Sequence, residues 1–176
     1  MLAFGPALMD GVPFSERFNT FPTNTVNINS NISSGLAVLT SPKSAVGFPA
    51  LDYLLFSESG TSNEGVLALF TTDPLAANRM TYLEQLATEI KTTAEQIENG
   101  WLSGGGNYRQ DFITNTGTAE GTSISILINS FNYDFETLKN FKFKIPLGKF
   151  NGGVVMPEQV EAYYAQGSAQ LALRQT

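Results

Sequence analysis

The chain has 176 residues, of which 42% are hydrophobic and 15% charged, with a net charge of −6; this is one ordinary domain or a little more, with enough apolar mass for a real core. It contains no histidine and no cysteine, which excludes disulfides, thiolate metal sites, thiol nucleophiles and a Ser-His-Asp apparatus. Its ten Lys and Arg are scattered and outnumbered by 16 Asp and Glu, which argues against a nucleic-acid partner, and no apolar run reaches the roughly 20 residues of a transmembrane helix.

Residues 1–7 read as the tail of a helix, without the basic and long apolar regions of a signal peptide. Gly5, Pro6, Gly11, Pro13, Pro22, Gly35 and Pro42 then punctuate the chain. A short helix is expected after Pro22, with Val26, Ile28 and Ile32 partly buried. A second covers Phe48 to Phe56, and a third runs from Glu64 to Phe70. The strongest element spans Asp73 to about Leu102, with Asp73 as cap and Pro74 at the first helical position. Met80, Leu83, Ala87, Ile90, Ala94, Ile97 and Trp101 recur there at spacings of three and four, opposite a polar face of Glu84, Thr88, Lys91, Glu95 and Asn99. A helix of that length spans roughly 40 Å and needs long partners.

Gly104, Gly105 and Gly106 form a loop between helices, without the Lys-Ser/Thr pair of a phosphate-binding loop. The next helix is predicted from about Thr118 to Lys142, striped by Ile124, Leu127, Ile128, Phe131, Phe135 and Leu138. It is expected to pack antiparallel to the long helix, because both stripes need cover. Phe141 to Ile145 alternates with period two and reads as a short strand. Pro157 opens a final helix with Val160, Tyr163, Tyr164, Gly167 and Leu171 on its apolar face. Both termini stop inside helical patterns, so further segments of the same protein are expected on either side.

The segment from Gly47 to Phe56 is the most informative. Its side chains are mostly large and apolar, so Phe48, Leu51, Leu54 and Leu55 are expected to be buried, and Gly47 to lie against a neighbouring element. Asp52 in such a helix needs a partner: a backbone N–H, an arginine or a cation. The plainer reading is that it sits early in the helix and bonds local backbone. Glu58, Glu64, Asp73, Glu84 and Glu120 could in principle form a catalytic carboxylate pair, but caps and solvated faces account for them. Trp101 continues the core stripe. Tyr108, in the polar run after the glycines, and one of Tyr163 and Tyr164 are candidates to line a ligand cleft.

Gly47-Phe48-Pro49-Ala50-Leu51-Asp52 resembles the Gly-x-His-x-x-Glu motif of the imelysin-type peptidase family, a group of all-helical bacterial cell-envelope proteins. Ala3-Phe4-Gly5-Pro6, Phe21-Pro22-Thr23-Asn24, Lys144-Ile145-Pro146-Leu147-Gly148 and Glu161-Ala162-Tyr163-Tyr164 resemble further family signatures in the same order. The resemblance implies an all-α fold belonging to a two-bundle architecture over residues 1–176, with a boundary between sub-bundles near 103–117. It also implies a periplasmic or outer-envelope location, a lipoprotein-like setting and a link to iron uptake.

The departure from the motif bears most on function. The family's His and Glu are its proposed metal ligands. Here Pro49 stands at the His position and offers no side-chain donor, and Asp52 stands at the Glu position. Zinc prefers nitrogen and sulfur ligands, so it is not the expected metal. A divalent or ferric cation held by oxygen ligands that include Asp52 is the form a metal site would take. The expected protein is a non-catalytic, imelysin-like binder of a ligand, peptide or cation. Gly47, Pro49, Asp52, Tyr108 and Tyr164 are its candidate contacts, and no residue is assigned to catalysis. The competing readings are a metallopeptidase with an atypical oxygen-ligand site and a structural interaction module.

Overall fold

The structure is a computed structural model and describes residues 8–9, 12–13, 17–18, 23–35, 45–56 and 62–160. A short antiparallel pair, β1 (Leu8–Met9) and β2 (Val12–Pro13), sets Leu8 opposite Pro13 and Met9 opposite Val12. The α-helices that follow are α1 (Thr25–Ser34), α2 (Gly47–Phe56), α3 (Asn63–Thr71), α4 (Ala76–Trp101), α5 (Tyr108–Thr114) and α6 (Ser123–Thr137). A π-helix, Leu138–Lys144, continues α6, and a 3-10 turn covers Pro157–Gln159. The fold is all-α apart from the two-residue strands.

Local chemistry explains the helix ends. Asn24 caps α1 by accepting from the Asn27 N–H at 2.9 Å, and Gly35 closes it in a left-handed conformation at φ 64°. Ser62 caps α3 through the Gly65 N–H at 3.2 Å. Asp73 does not begin α4 as expected. Its carboxylate takes the Leu75 N–H at 2.8 Å in a local turn, and the helix proper starts at Ala76.

The core is built where α1, α2 and α3 pack on the first half of α4. Ile28 and Ile32 of α1, Ala50, Tyr53 and Leu54 of α2, Ala45 and Val46 before it, and Tyr82 and Leu86 of α4 form one buried cluster. Ile28 and Ile32 are thus more deeply buried than expected, whereas Val26 is exposed.

The long helix keeps its solvated face as expected: Glu84, Thr88, Lys91, Glu95 and Asn99 are all exposed. Its buried face is Arg79, Tyr82, Leu86, Glu89 and Thr93. That face is rotated one residue from the expected stripe, so Met80, Ala87 and Ala94 are exposed and Leu83 and Ile90 only flank the core.

Three further expectations are overturned. Phe48 and Leu55 are not buried, at 51% and 41% exposure, because α2 packs through Ala50, Tyr53 and Leu54 and turns its other side outward. Phe141 to Lys144 is not a strand. Continuing the helix satisfies the backbone N–H and C=O groups at once, whereas a lone strand would have no ladder partner.

Nor does α6 pack along α4; among the described residues its extensive contact is with the π-helix that continues it. The reason lies in the connection. α5 folds back on the C-terminal end of α4, and the Ser123 hydroxyl donates to the Phe112 carbonyl. The Asn115 amide also bonds the Gly121 carbonyl at 2.8 Å. These contacts pin the start of α6 at the far end of α4.

Candidate functional site

The motif helix is seated by its first residue. Gly47 has φ 78°, and a Cβ there would collide with the backbone carbonyls of Arg17 and Phe18. The missing side chain lets that segment lie directly against α2. The ring of Phe18 stacks on Phe48 with centroids 5.6 Å apart.

Two phenols fix the rest of the helix. Tyr82 of α4 donates to the Ala45 carbonyl at 2.8 Å, just upstream of the motif. The Asn29 amide of α1 donates to the Tyr53 hydroxyl at 2.8 Å. Pro49 is buried and Asp52 is half-buried. The side of α2 that carries Pro49 therefore faces the packed interior, and Asp52 is the carboxylate this helix brings to its margin.

Beside the motif lies a charge arrangement that sequence reasoning missed. Arg17, in the segment pressed on Gly47, makes a salt bridge through Nη2 to Oε1 of Glu89 in mid-α4. Both side chains are almost wholly buried, at 9% and 3% exposure. The Nε of Arg17 and Oε2 of Glu89 have no hydrogen-bond partner among the described residues, and neither does the buried Oγ1 of Thr23. Arg79, one end of the same buried face, is 7% exposed, and its Nε is also without a partner among the described residues.

Buried charges need paired and hydrogen-bonded surroundings. The available signal was the spacing of 79, 82, 86, 89 and 93. It is a regular alternation of three and four that an apolar-only reading breaks at Arg79 and Glu89.

The donor set does not fit zinc. Pro49 supplies no ligand atom, and among the described residues no group of three His, Cys, Asp or Glu side chains is placed to hold a metal ion. Asp52 alone would provide a weak oxygen contact.

Tyr108 lies elsewhere. It packs edge-on against Trp101 at 4.7 Å and near Phe112 at 6.1 Å, and burial there raises its pKa. Trp101 is fifteen residues beyond Leu86 on one helix, about 20 Å along its axis. Tyr108 therefore belongs to a corner cluster and is not brought to the Gly47–Asp52 helix. Tyr164 lies outside the described residues, as does the greater part of the helix expected after Pro157.

A model of the imelysin peptidase family matches residues 1–173. The chain belongs to the imelysin family. No curated protein and no solved structure gives a match. By resemblance to the family's motif, Pro49 stands at its His position and Asp52 at its Glu position. No helix among the described residues is long and apolar enough to cross a membrane.

Proposed function

We propose that this imelysin-family chain is a non-catalytic binding protein, with its site at the motif helix and the adjoining Arg17–Glu89 pair. The observation that carries the reading is the buried Pro49. A metallopeptidase needs a metal-bound water made acidic by strong ligands, and the position that would donate nitrogen is a side chain without a donor, packed into the interior. What the neighbourhood offers instead is recognition chemistry: a half-buried carboxylate beside a buried ion pair, some of whose polar atoms have no partner among the described residues. Such groups suit a polar ligand, either a peptide or a cation held through oxygen. Placement in the cell envelope and a link to iron acquisition rest on family membership.

The test is hydrolysis of an unstructured protein substrate with added zinc, with and without a chelator. No chelator-sensitive cleavage is expected. Chelator-sensitive cleavage that disappears in Asp52→Ala would establish an oxygen-ligand metallopeptidase and overturn the proposal. Cleavage that persists in Asp52→Ala would place a metal site elsewhere and overturn it equally. Titration of the intact chain with calcium, ferric citrate and mixed peptides, read by calorimetry, tests the binding half. Fractionation of producing cells tests the location.

A further inference from the structure

The basic residues are less dispersed than their number suggests. Between Glu136 and Glu158 the chain carries Lys139, Lys142, Lys144 and Lys149 and no carboxylate, in a protein of net charge −6, and Lys139 among them is ion-paired with the bounding Glu136. This cationic stretch carries a run of exposed apolar side chains. The π-helix leaves Phe141 and Phe143 exposed, and the loop after it exposes Leu147, Phe150, Val154 and Val155.

The loop is closed on itself. Met156 N–H donates to the Pro146 carbonyl at 2.8 Å, Gly153 N–H to the Gly148 carbonyl at 2.9 Å and Lys149 N–H to the Lys144 carbonyl at 2.8 Å. Gly148, at φ 69°, permits the closure, because a Cβ there would collide with the Val154 backbone. The result is a knob whose outward side chains are Phe150 at 66%, Val154 at 61% and Val155 at 62% exposure. Lys144 lies over the Phe150 ring, its Nζ 5.6 Å from the centroid.

We propose that this surface, from the π-helix through the knob, docks on an anionic lipid surface. Phe150, Leu147, Val154 and Val155 would enter the boundary between headgroups and acyl chains, while the ammonium groups of Lys144 and Lys149 remain at the level of the phosphates, with Lys142 and the Glu136-paired Lys139 adding positive potential behind them. Charge complementarity selects this occupant. Lysine is depleted in protein–protein interfaces, where arginine is enriched, and this segment has four lysines and no arginine. A nucleic acid would satisfy the lysines but leave Leu147, Val154 and Val155 against phosphate. A lipid interface satisfies both sets of groups. The inference is independent of the ligand-binding reading of the motif helix.

Co-sedimentation of the full chain with vesicles tests it, comparing phosphatidylcholine alone with an equimolar phosphatidylcholine–phosphatidylglycerol mixture. Binding to the anionic vesicles is expected, with little to the neutral ones, and it should weaken as salt is raised. Lys149→Gln should reduce partitioning about fivefold, since each such charge near an anionic surface is worth about 1 kcal/mol. Replacing all four lysines by glutamine should abolish it. Phe150→Ser combined with Val154→Ser should weaken it at unchanged charge. These side chains are at the surface, so an unchanged far-UV circular dichroism spectrum is expected for each variant.

Equal binding to both vesicle types, or full binding by the four-lysine variant, would overturn the proposal. So would tighter capture by a single-stranded oligonucleotide, or a dimer in sedimentation velocity that Phe150→Ser dissolves.

Discussion

Tyr82 and Ala45 are joined inside the core by a 2.8 Å hydrogen bond from the phenol to the backbone carbonyl. The bond ties the first half of α4 to the residue two positions before the motif helix. Tyr82→Phe removes the donor and leaves a buried carbonyl unsatisfied, so a loss of about 1–3 kcal/mol is expected. Hydrogen exchange at the buried α4 amides reads it directly. Protection in that helix equal to wild type would show that the bond contributes nothing.

Gly47→Ala should be far more damaging than its size suggests. The residue sits at φ 78° with backbone carbonyls where a Cβ would go, so both strain and collision oppose the methyl group. A loss above about 2 kcal/mol is expected. Gly104→Ala is the control, because nothing lies within 4 Å of the point its Cβ would occupy, and it should be close to neutral. Similar urea midpoints for the two variants would count against the close packing of Arg17 and Phe18 on α2.

Neighbouring leucines of α2 should separate sharply. Leu54 is 1% exposed and Leu55 is 41% exposed. Leu54→Ala should destabilise by about 2–5 kcal/mol through lost burial and the cavity left behind. Leu55→Ala should change stability by less than about 1 kcal/mol, because much of its surface already meets water. A reversed order in chemical denaturation would mean that α2 is rotated about its axis.

The Arg17–Glu89 pair should behave as a unit. Replacing one partner strands the other charge in the interior, so Glu89→Leu and Arg17→Met should each cost about 3–5 kcal/mol. The double variant should cost less than the sum, because it leaves no charge stranded and sets two apolar side chains against each other. Strict additivity in a double-mutant cycle would show that the two groups do not interact.

The sequence made some of this legible and hid the rest for identifiable reasons. Pro49 and the dense apolar run placed α2 to within one residue of its observed start, and the polar residues of α4 marked its solvated face correctly. The buried face of α4 was displaced because Arg79 and Glu89 occupy core positions, and an apolar count passes over charges. Glu89 finds Arg17 72 residues away, and no local pattern encodes a partner that distant. The stripe of α6 had the right period, but a period says only that a face is apolar. Ile128 at 52% and Phe131 at 68% exposure show that it does not say what covers that face. The alternating Phe and Lys of 141–144 imitated a strand because a helix that leaves both kinds of side chain accessible places no demand on their order. Of the candidate site, Gly47, Pro49 and Asp52 were named from the resemblance to the family motif, whereas the Arg17–Glu89 pair required coordinates.

The corner at Trp101 and Tyr108 has a thermodynamic consequence. On one side of it lies the cluster around Tyr82 and Leu86; on the other, α6 and the π-helix continue with each other as their extensive partners among the described residues. Heat should therefore enter this chain in more than one step. The calorimetric enthalpy would exceed the van't Hoff value drawn from any single probe, and the melting temperature would depend on where along the chain the probe sits.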